Sequence, residues 1–320
     1  MPRAKKNRTP VTSASKLVTT QAARRSGFLE YALRRNEEAL PFIDCSRALK
    51  AYLEKHSTSC DDIEKLSDIR DPLLQAAGIS EKARAHLSSK DQTELLREFV
   101  SRTLVPIGEQ YVEEIVYRYL LSAGDALGGK MRNIVGAIAG EKFTRAVIAA
   151  LTIRSVKFTF VDRDEALHAA KAYSVDKAAN IKAIEWSVDD SSRYLIYNIK
   201  VPQVRKNIDI VLLNRTLYGA AKADRNRILA DRSSYVAMGE LKGGIDPAGA
   251  DEHWKTANTA LERVRQSFPR NVPLFFAGAA IELAMAKEIF EQIKNGDLAH
   301  CANITVDDQL DSLCEWLVRR

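Results

Sequence analysis

The chain has 320 residues, 46% of them hydrophobic and 28% charged, the composition of a globular protein with a core large enough for one domain or two. No apolar run reaches the roughly 18 residues that a membrane-spanning helix needs. Four scattered cysteines (Cys45, Cys60, Cys301, Cys314) form no Cys-x-x-Cys pair, which speaks against a structural zinc site and for free thiols in a reducing cytoplasm.

The formal charge of +6 is less informative than it looks. Seven basic residues and no acid lie in the first 25 positions, so the rest of the chain carries −1. Residues 1–25 are therefore expected to be a basic, disordered tail rich in Ser, Thr and Lys, either touching DNA phosphates or simply solvated.

From residue 26 to 123 the pattern is helical. Short helices are predicted at Phe28–Arg35, Ser46–Glu54, Asp71–Ala77, Ser80–Leu87 and Gln92–Thr103, punctuated by Gly78 and Pro106. Val112, Ile115, Val116, Tyr119 and Leu120 mark one face of a further helix. Gly124-Asp-Ala-Leu-Gly-Gly-Lys130-Met131 almost spells a phosphate-binding loop, but Met131 lacks the hydroxyl that would bind Mg²⁺ and no strand precedes it. No nucleotide cofactor is expected. The segment reads instead as a link, with Lys130 and Arg132 available to DNA phosphates.

Residues 124–320 read as an α/β domain with a mixed sheet. A helix is predicted from Met131 to about Ile153; then the period changes to two. Strands are predicted at Phe158–Val161, Ala183–Val188, Tyr194–Val201, Ile208–Leu213, Tyr235–Leu241 and Leu274–Ala279. Helices are expected at Glu252–Phe268, Leu283–Ile293 and Leu310–Val318.

Two of these strands carry charges that an apolar strand should not bury. Alternation puts Asp209 on one face with Val211 and Leu213, and turns Glu240 and Lys242 the same way on the second strand. A carboxylate there is costly unless it is paired or binds a metal. Two carboxylates can hold Mg²⁺, which activates water and polarises a phosphoryl oxygen, while a lysine stabilises charge on the phosphate. The bland alternative is a hydrogen-bonded Asp209 beside a surface Glu240–Lys242 ion pair. Downstream, the Gly-rich Gly243–His253 segment permits close backbone approach to a ligand and leads into a helix N-terminus suited to phosphate. His253 is either a general base there or a half-exposed helix histidine. The other histidines have no comparable context.

Asp followed by Glu-x-Lys is the minimal signature of PD-(D/E)xK nucleases. Three longer segments say more: Asn207-Ile-Asp-Ile, the stretch Gly239-Glu-Leu-Lys-Gly-Gly-Ile-Asp-Pro-Ala-Gly-Ala-Asp-Glu-His-Trp-Lys-Thr-Ala257, and Gly124-Asp-Ala-Leu-Gly-Gly-Lys-Met-Arg-Asn133. Together they resemble the AvaI/BsoBI family of type II restriction endonucleases, from about Ser26 to the C-terminus; the basic tail is left unmatched. The resemblance implies a restriction-endonuclease-like central sheet flanked by helices, with residues 26–123 embracing the DNA. It implies a bacterial cytoplasmic homodimer that cuts double-stranded DNA at the degenerate palindrome CYCGRG and leaves 5′ overhangs. It makes Asp209 and Glu240 metal ligands, Lys242 the catalytic lysine, His253 the proposed base, and Asp246 and Lys82 base readers. Chemistry agrees: Asp246 can accept from cytosine N4, and Lys82 can donate to the N7 that both purines share. Two other readings compete, a repair or junction-resolving nuclease with the same site and a non-enzymatic DNA-binding protein.

Overall fold

The computed structural model describes residues 11–268 and 272–320. They divide into two compact units, one formed by residues up to Phe28 together with Ile134–Arg320, the other by Leu29–Asn133.

The first unit is a helix–sheet–helix sandwich. Its strands are β1 (Phe158–Asp162), β2 (Leu167–Ala169), β3 (Ile181–Val188), β4 (Ser191–Val201), β5 (Lys206–Leu213), β6 (Tyr235–Lys242), β7 (Leu274–Gly278) and β8 (His300–Asn303). They form one sheet in the order β2-β1-β3-β4-β5-β6-β7-β8. Neighbours are antiparallel as far as β6, and β6, β7 and β8 run parallel. Parallel neighbours need crossovers, and the chain supplies helices for both.

Ten α-helices are described: α1 (Gln21–His56), α2 (Arg70–Ala76), α3 (Glu81–Arg84), α4 (Ser89–Phe99), α5 (Val105–Ile107), α6 (Tyr111–Ile153), α7 (Lys222–Ala230), α8 (Ala250–Ser267), α9 (Leu283–Asn295) and α10 (Asp307–Val318). In α8, Trp254, Ala257, Leu261 and Val264 fall on one stripe and are buried. They pack with Met238, Phe276, Met285 and Ile289 on one side of the sheet. On the other side Phe143 and Val147 of α6 meet Ile210, Phe275 and the α10 residues Leu313 and Leu317. Covered on both faces, β7 is buried at every position, which is why its sequence is a continuous apolar run.

The helical unit has its own core, including Leu53, Leu73, Leu74, Leu96, Leu104 and Ile115. Its helix starts carry explicit signals. Ser88 and Asp91 form a reciprocal capping box on α4, and the Ser80 hydroxyl accepts from Ala83 N–H at α3.

Several expectations are corrected. The two short helices predicted at 28–35 and 46–54 are one helix, α1, which continues through Pro41. The linking loop expected at Gly124–Lys130 is helical, because α6 runs unbroken from Tyr111 to Ile153. Three glycines there disfavour helix by about 1 kcal/mol each. Against them stand Tyr119, Ala123, Leu127 and Met131, four buried residues at four-residue spacing. The helix wins because burying side chains of this size outweighs the propensity loss. Gly128 has open space where a Cβ would stand, so Gly128→Ala should raise unfolding stability by about 0.5–1 kcal/mol in a denaturant titration; a loss would show that the position needs glycine.

The disordered-tail expectation fails over residues 11–25. Leu17 is fully buried and Val11 nearly so, and α1 begins at Gln21. Residues 1–10 lie outside the described residues. Also unforeseen were β2, α7 and β8, two strands of three and four residues and a helix with no buried residue.

Candidate active site

β5 and β6 are antiparallel, with Ile210 opposite Gly239 and Val211 opposite Met238. Continuing that register sets Asp209 opposite Glu240. Gly239 makes the strand approach possible in another way: a Cβ there would stand 2.3 Å from the ring of Phe275. The phenyl ring fills the space on one side of β6, and Glu240 projects to the other.

The three charged residues that alternation selected do converge. Lys242 Nζ donates to Asp209 Oδ2 and to Glu240 Oε2, each at 2.8 Å, and Leu241 N–H donates to the same Asp209 oxygen at 2.9 Å. Glu240 is only 3% exposed, whereas the Asp209 side chain is 33% exposed. The site is thus open on the Asp209 side and closed behind Glu240. This is not the surface ion pair of the bland reading.

Electrostatics follow from that asymmetry. Burial, reinforced by the neighbouring Asp209, pushes the Glu240 carboxyl up to about 7, with Lys242 pulling the other way. Burial opposes the charge on Lys242, but the two carboxylates outweigh it and hold the ammonium above its ordinary value. One cation is serving two acids. The residues fit a further divalent cation: Glu240 Oε1 is buried with no hydrogen-bond partner among the described residues, an acceptor that a metal would satisfy. Asp209 and Glu240 would hold it. Among the described residues no three His, Cys, Asp or Glu side chains gather as a metal site; a cation held by these two carboxylates alone would need its remaining ligands from elsewhere, as Mg²⁺ commonly takes them from water.

The Gly243–His253 loop is positioned by close packing. A Cβ at Gly243 would stand 2.6 Å from both the Val135 carbonyl oxygen and the Ala139 Cβ on α6, and one at Gly27 on α1 would meet Ile245 at 2.5 Å. A Cβ at Gly244 would fall 2.8 Å from His253 Nε2. Close backbone approach, expected for a ligand, here serves the protein's own helices and His253. His253 is exposed in the first turn of α8. Asp246 is also exposed, and its carboxylate accepts from Ala248 N–H at 2.9 Å. Among the described residues no hydrogen bond joins either one to the trio.

The remaining candidates lie in the helical unit. Lys82 is exposed on the four-residue α3 and Arg132 is exposed on α6. Lys130 is not a free cation, since its ammonium pairs with Glu38 at 2.6 Å. Sequence reasoning missed a second backbone support of the trio, a hydrogen bond of 2.9 Å from Ala279 N–H to the Lys242 carbonyl.

The family model for restriction endonuclease BsobI matches residues 7–320. The type II restriction enzyme AvaI of Nostoc sp. is 42% identical over 313 residues, covering 97% of this chain and 98% of the relative, and the AvaI of Anabaena variabilis gives the same figures. The type II restriction enzyme BsoBI of Geobacillus stearothermophilus is 42% identical over 320 residues, 96% of each chain.

Proposed function

We propose that this chain, which belongs to the BsobI restriction endonuclease family, cuts duplex DNA at one short degenerate palindrome through Asp209, Glu240 and Lys242. It is a type II restriction enzyme, a site-specific deoxyribonuclease. The observation that carries the assignment of the site is the buried Glu240 carboxylate joined to Asp209 through one lysine, with an acceptor oxygen left over.

Asp209 and Glu240 are the residues that would hold Mg²⁺, which when bound would supply Lewis-acid chemistry at the phosphoryl oxygen. Lys242 places its ammonium where charge develops on the phosphate. Asp209, the more exposed of the two acids, faces the entering DNA backbone, while Glu240 keeps bulk water from the back of the site. His253, in the first turn of α8 and beside Gly244, is the candidate to take the proton from the attacking water.

Recognition is assigned to the same loop and to the helical unit. Asp246 reads cytosine N4, and Lys82 reads purine N7, which accounts for a degenerate position. Lys130 and Arg132 meet phosphates, Lys130 after leaving Glu38. The recognition sequence proposed is CYCGRG, cut to leave 5′ overhangs. The working form is a homodimer, matching a two-fold palindrome. One feature of the helical unit supports it: Leu29, Leu33 and Leu40 of α1 lie on one stripe and are 56%, 66% and 55% exposed, an apolar face suited to a partner. No helix among the described residues is long and apolar enough to cross a membrane, and a cytoplasmic location is proposed.

Digesting DNA of known sequence with Mg²⁺ tests this reading. Discrete fragments ending at one degenerate motif are expected. Fragments at branched structures alone would favour a junction nuclease, and no cleavage would favour a binding protein. The same digest with Lys82→Ala should weaken cutting at both purines alike; altered discrimination between A and G would refute the N7 contact.

A further inference from the structure

The N-terminal segment, expected to be free, is instead tied by a buried polar network to the end of the catalytic strand. Thr19 is 2% exposed, Asn303 is fully buried and Gln309 is 5% exposed. Thr19 donates its hydroxyl proton to the Ala279 carbonyl at 2.7 Å and accepts from Ile281 N–H and Asn303 Nδ2, each at 2.9 Å. Its own N–H donates to the Ile281 carbonyl at 3.0 Å. One hydroxyl has a single proton and two lone pairs, so this one is saturated.

Asn303 is saturated as well, and Gln309 uses both ends of its amide. Asn303 Nδ2 also donates to the Leu17 carbonyl at 2.8 Å, and its Oδ1 accepts from Thr305 N–H and hydroxyl. Gln309 donates to the Lys16 carbonyl at 2.7 Å and accepts from Asn303 N–H at 2.9 Å. A fully satisfied buried network is rigid, because any displacement leaves a polar group unpaired. The network ends at Ala279, and Ala279 N–H holds the carbonyl of Lys242 at 2.9 Å.

We propose that Thr19, braced by Asn303 and Gln309, is a positioning residue for catalysis: it fixes segment 279–281, which fixes the backbone of Lys242. The inference rests on the reading of Lys242 as the catalytic lysine. That ammonium must reach two carboxylates on two strands at once, and a displacement of about 1 Å can reduce a rate by about 10²-fold. Thr19 touches neither DNA nor metal in this scheme, so its loss should alter turnover and not substrate binding.

The test compares Thr19→Val, which keeps the shape and removes the hydroxyl, with Thr19→Ser, which restores it, and with Lys242→Ala as reference. All are assayed as purified full-length proteins in Mg²⁺, below their melting temperatures. The expected result is a kcat about tenfold or more lower for Thr19→Val, a KM within about twofold of wild type, and recovery in Thr19→Ser. Folded Thr19→Val with wild-type kcat, or a fall that Ser does not reverse, overturns the inference. Should Thr19→Val not fold, Gln309→Met removes the outer brace and must lower kcat with KM held; wild-type kcat there overturns it equally. If Lys242→Ala itself cuts normally, the reading of the site has failed, a result separate from failure of the brace.

Discussion

Glu240→Gln is expected to abolish cleavage, by about 10³-fold or more, while leaving a folded protein that still binds its site. Glutamine keeps the size and an oxygen for Lys242 to donate to. What it removes is the second negative charge of the pair facing Asp209. A bound cation contributes several kcal/mol to phosphoryl transfer, and each 1.36 kcal/mol is tenfold in rate, so losing the inner carboxylate should leave little activity. The fold should not suffer, because the charged form of Glu240 is disfavoured where it sits. Burial and Asp209 raise its carboxyl to about 7, above its ordinary 4.5. In the metal-free protein that group stabilises the fold less as pH climbs through about 7. Glu240→Gln has no such dependence, so in EDTA it should match the wild type near pH 4.5, gain on it up to about pH 7, and stay ahead by a constant margin at pH 8 in thermal unfolding. Near-wild-type cutting by this variant would remove Glu240 from the chemistry. A wild type more stable than the variant at pH 8 would show that Lys242 fully compensates the buried charge.

The trio was legible in the sequence because its signal is a violation. Asp209 and Glu240 stand among apolar neighbours, within Ile208–Leu213 and Val236–Leu241, and a period of two is enough to predict which side chains share a face. The sheet was legible for the same reason wherever strands were long and buried, as in β5, β6 and β7. What escaped was set by packing between distant parts of the chain. Gly128 and Gly129 read as a turn locally, and only Leu127 and Met131, buried from both sides of them, keep α6 intact. Leu17 and Val18 are too few to make a period, so the segment 11–20 read as tail. Its order depends on Asn303 and Gln309, almost the whole chain away, and nothing in a Thr19 or an Asn303 announces such a partner. The Gly243–Ile245 loop lies between these cases. Its glycines advertised close approach, but whether to a ligand or to α6 is not written in their spacing.

Lys242→Met should make the protein depend on Mg²⁺ for stability as well as for activity. In the metal-free protein the ammonium is the cation that the two carboxylates share, 2.8 Å from each. Removing it leaves Glu240 buried and Asp209 beside it with nothing between. Breaking a buried pair from one side costs about 3–5 kcal/mol; Asp209 is a third exposed, so water screens part of this and the lower end, about 3 kcal/mol, is expected. A divalent ion then stabilises the variant more than the wild type, since it binds a site with no ammonium to repel it, and stabilisation grows with the logarithm of affinity. Thermal unfolding of both proteins in EDTA and in Mg²⁺ gives the answer. Lys242→Met should melt well below wild type in EDTA and recover most of the difference in Mg²⁺, while DNA cleavage stays lost because no ammonium faces the phosphate. If Mg²⁺ shifts both proteins equally, the lysine and the metal do not compete for one electrostatic site. Lys242 would then act on the DNA from a separate position, with Asp209 and Glu240 holding the metal without it.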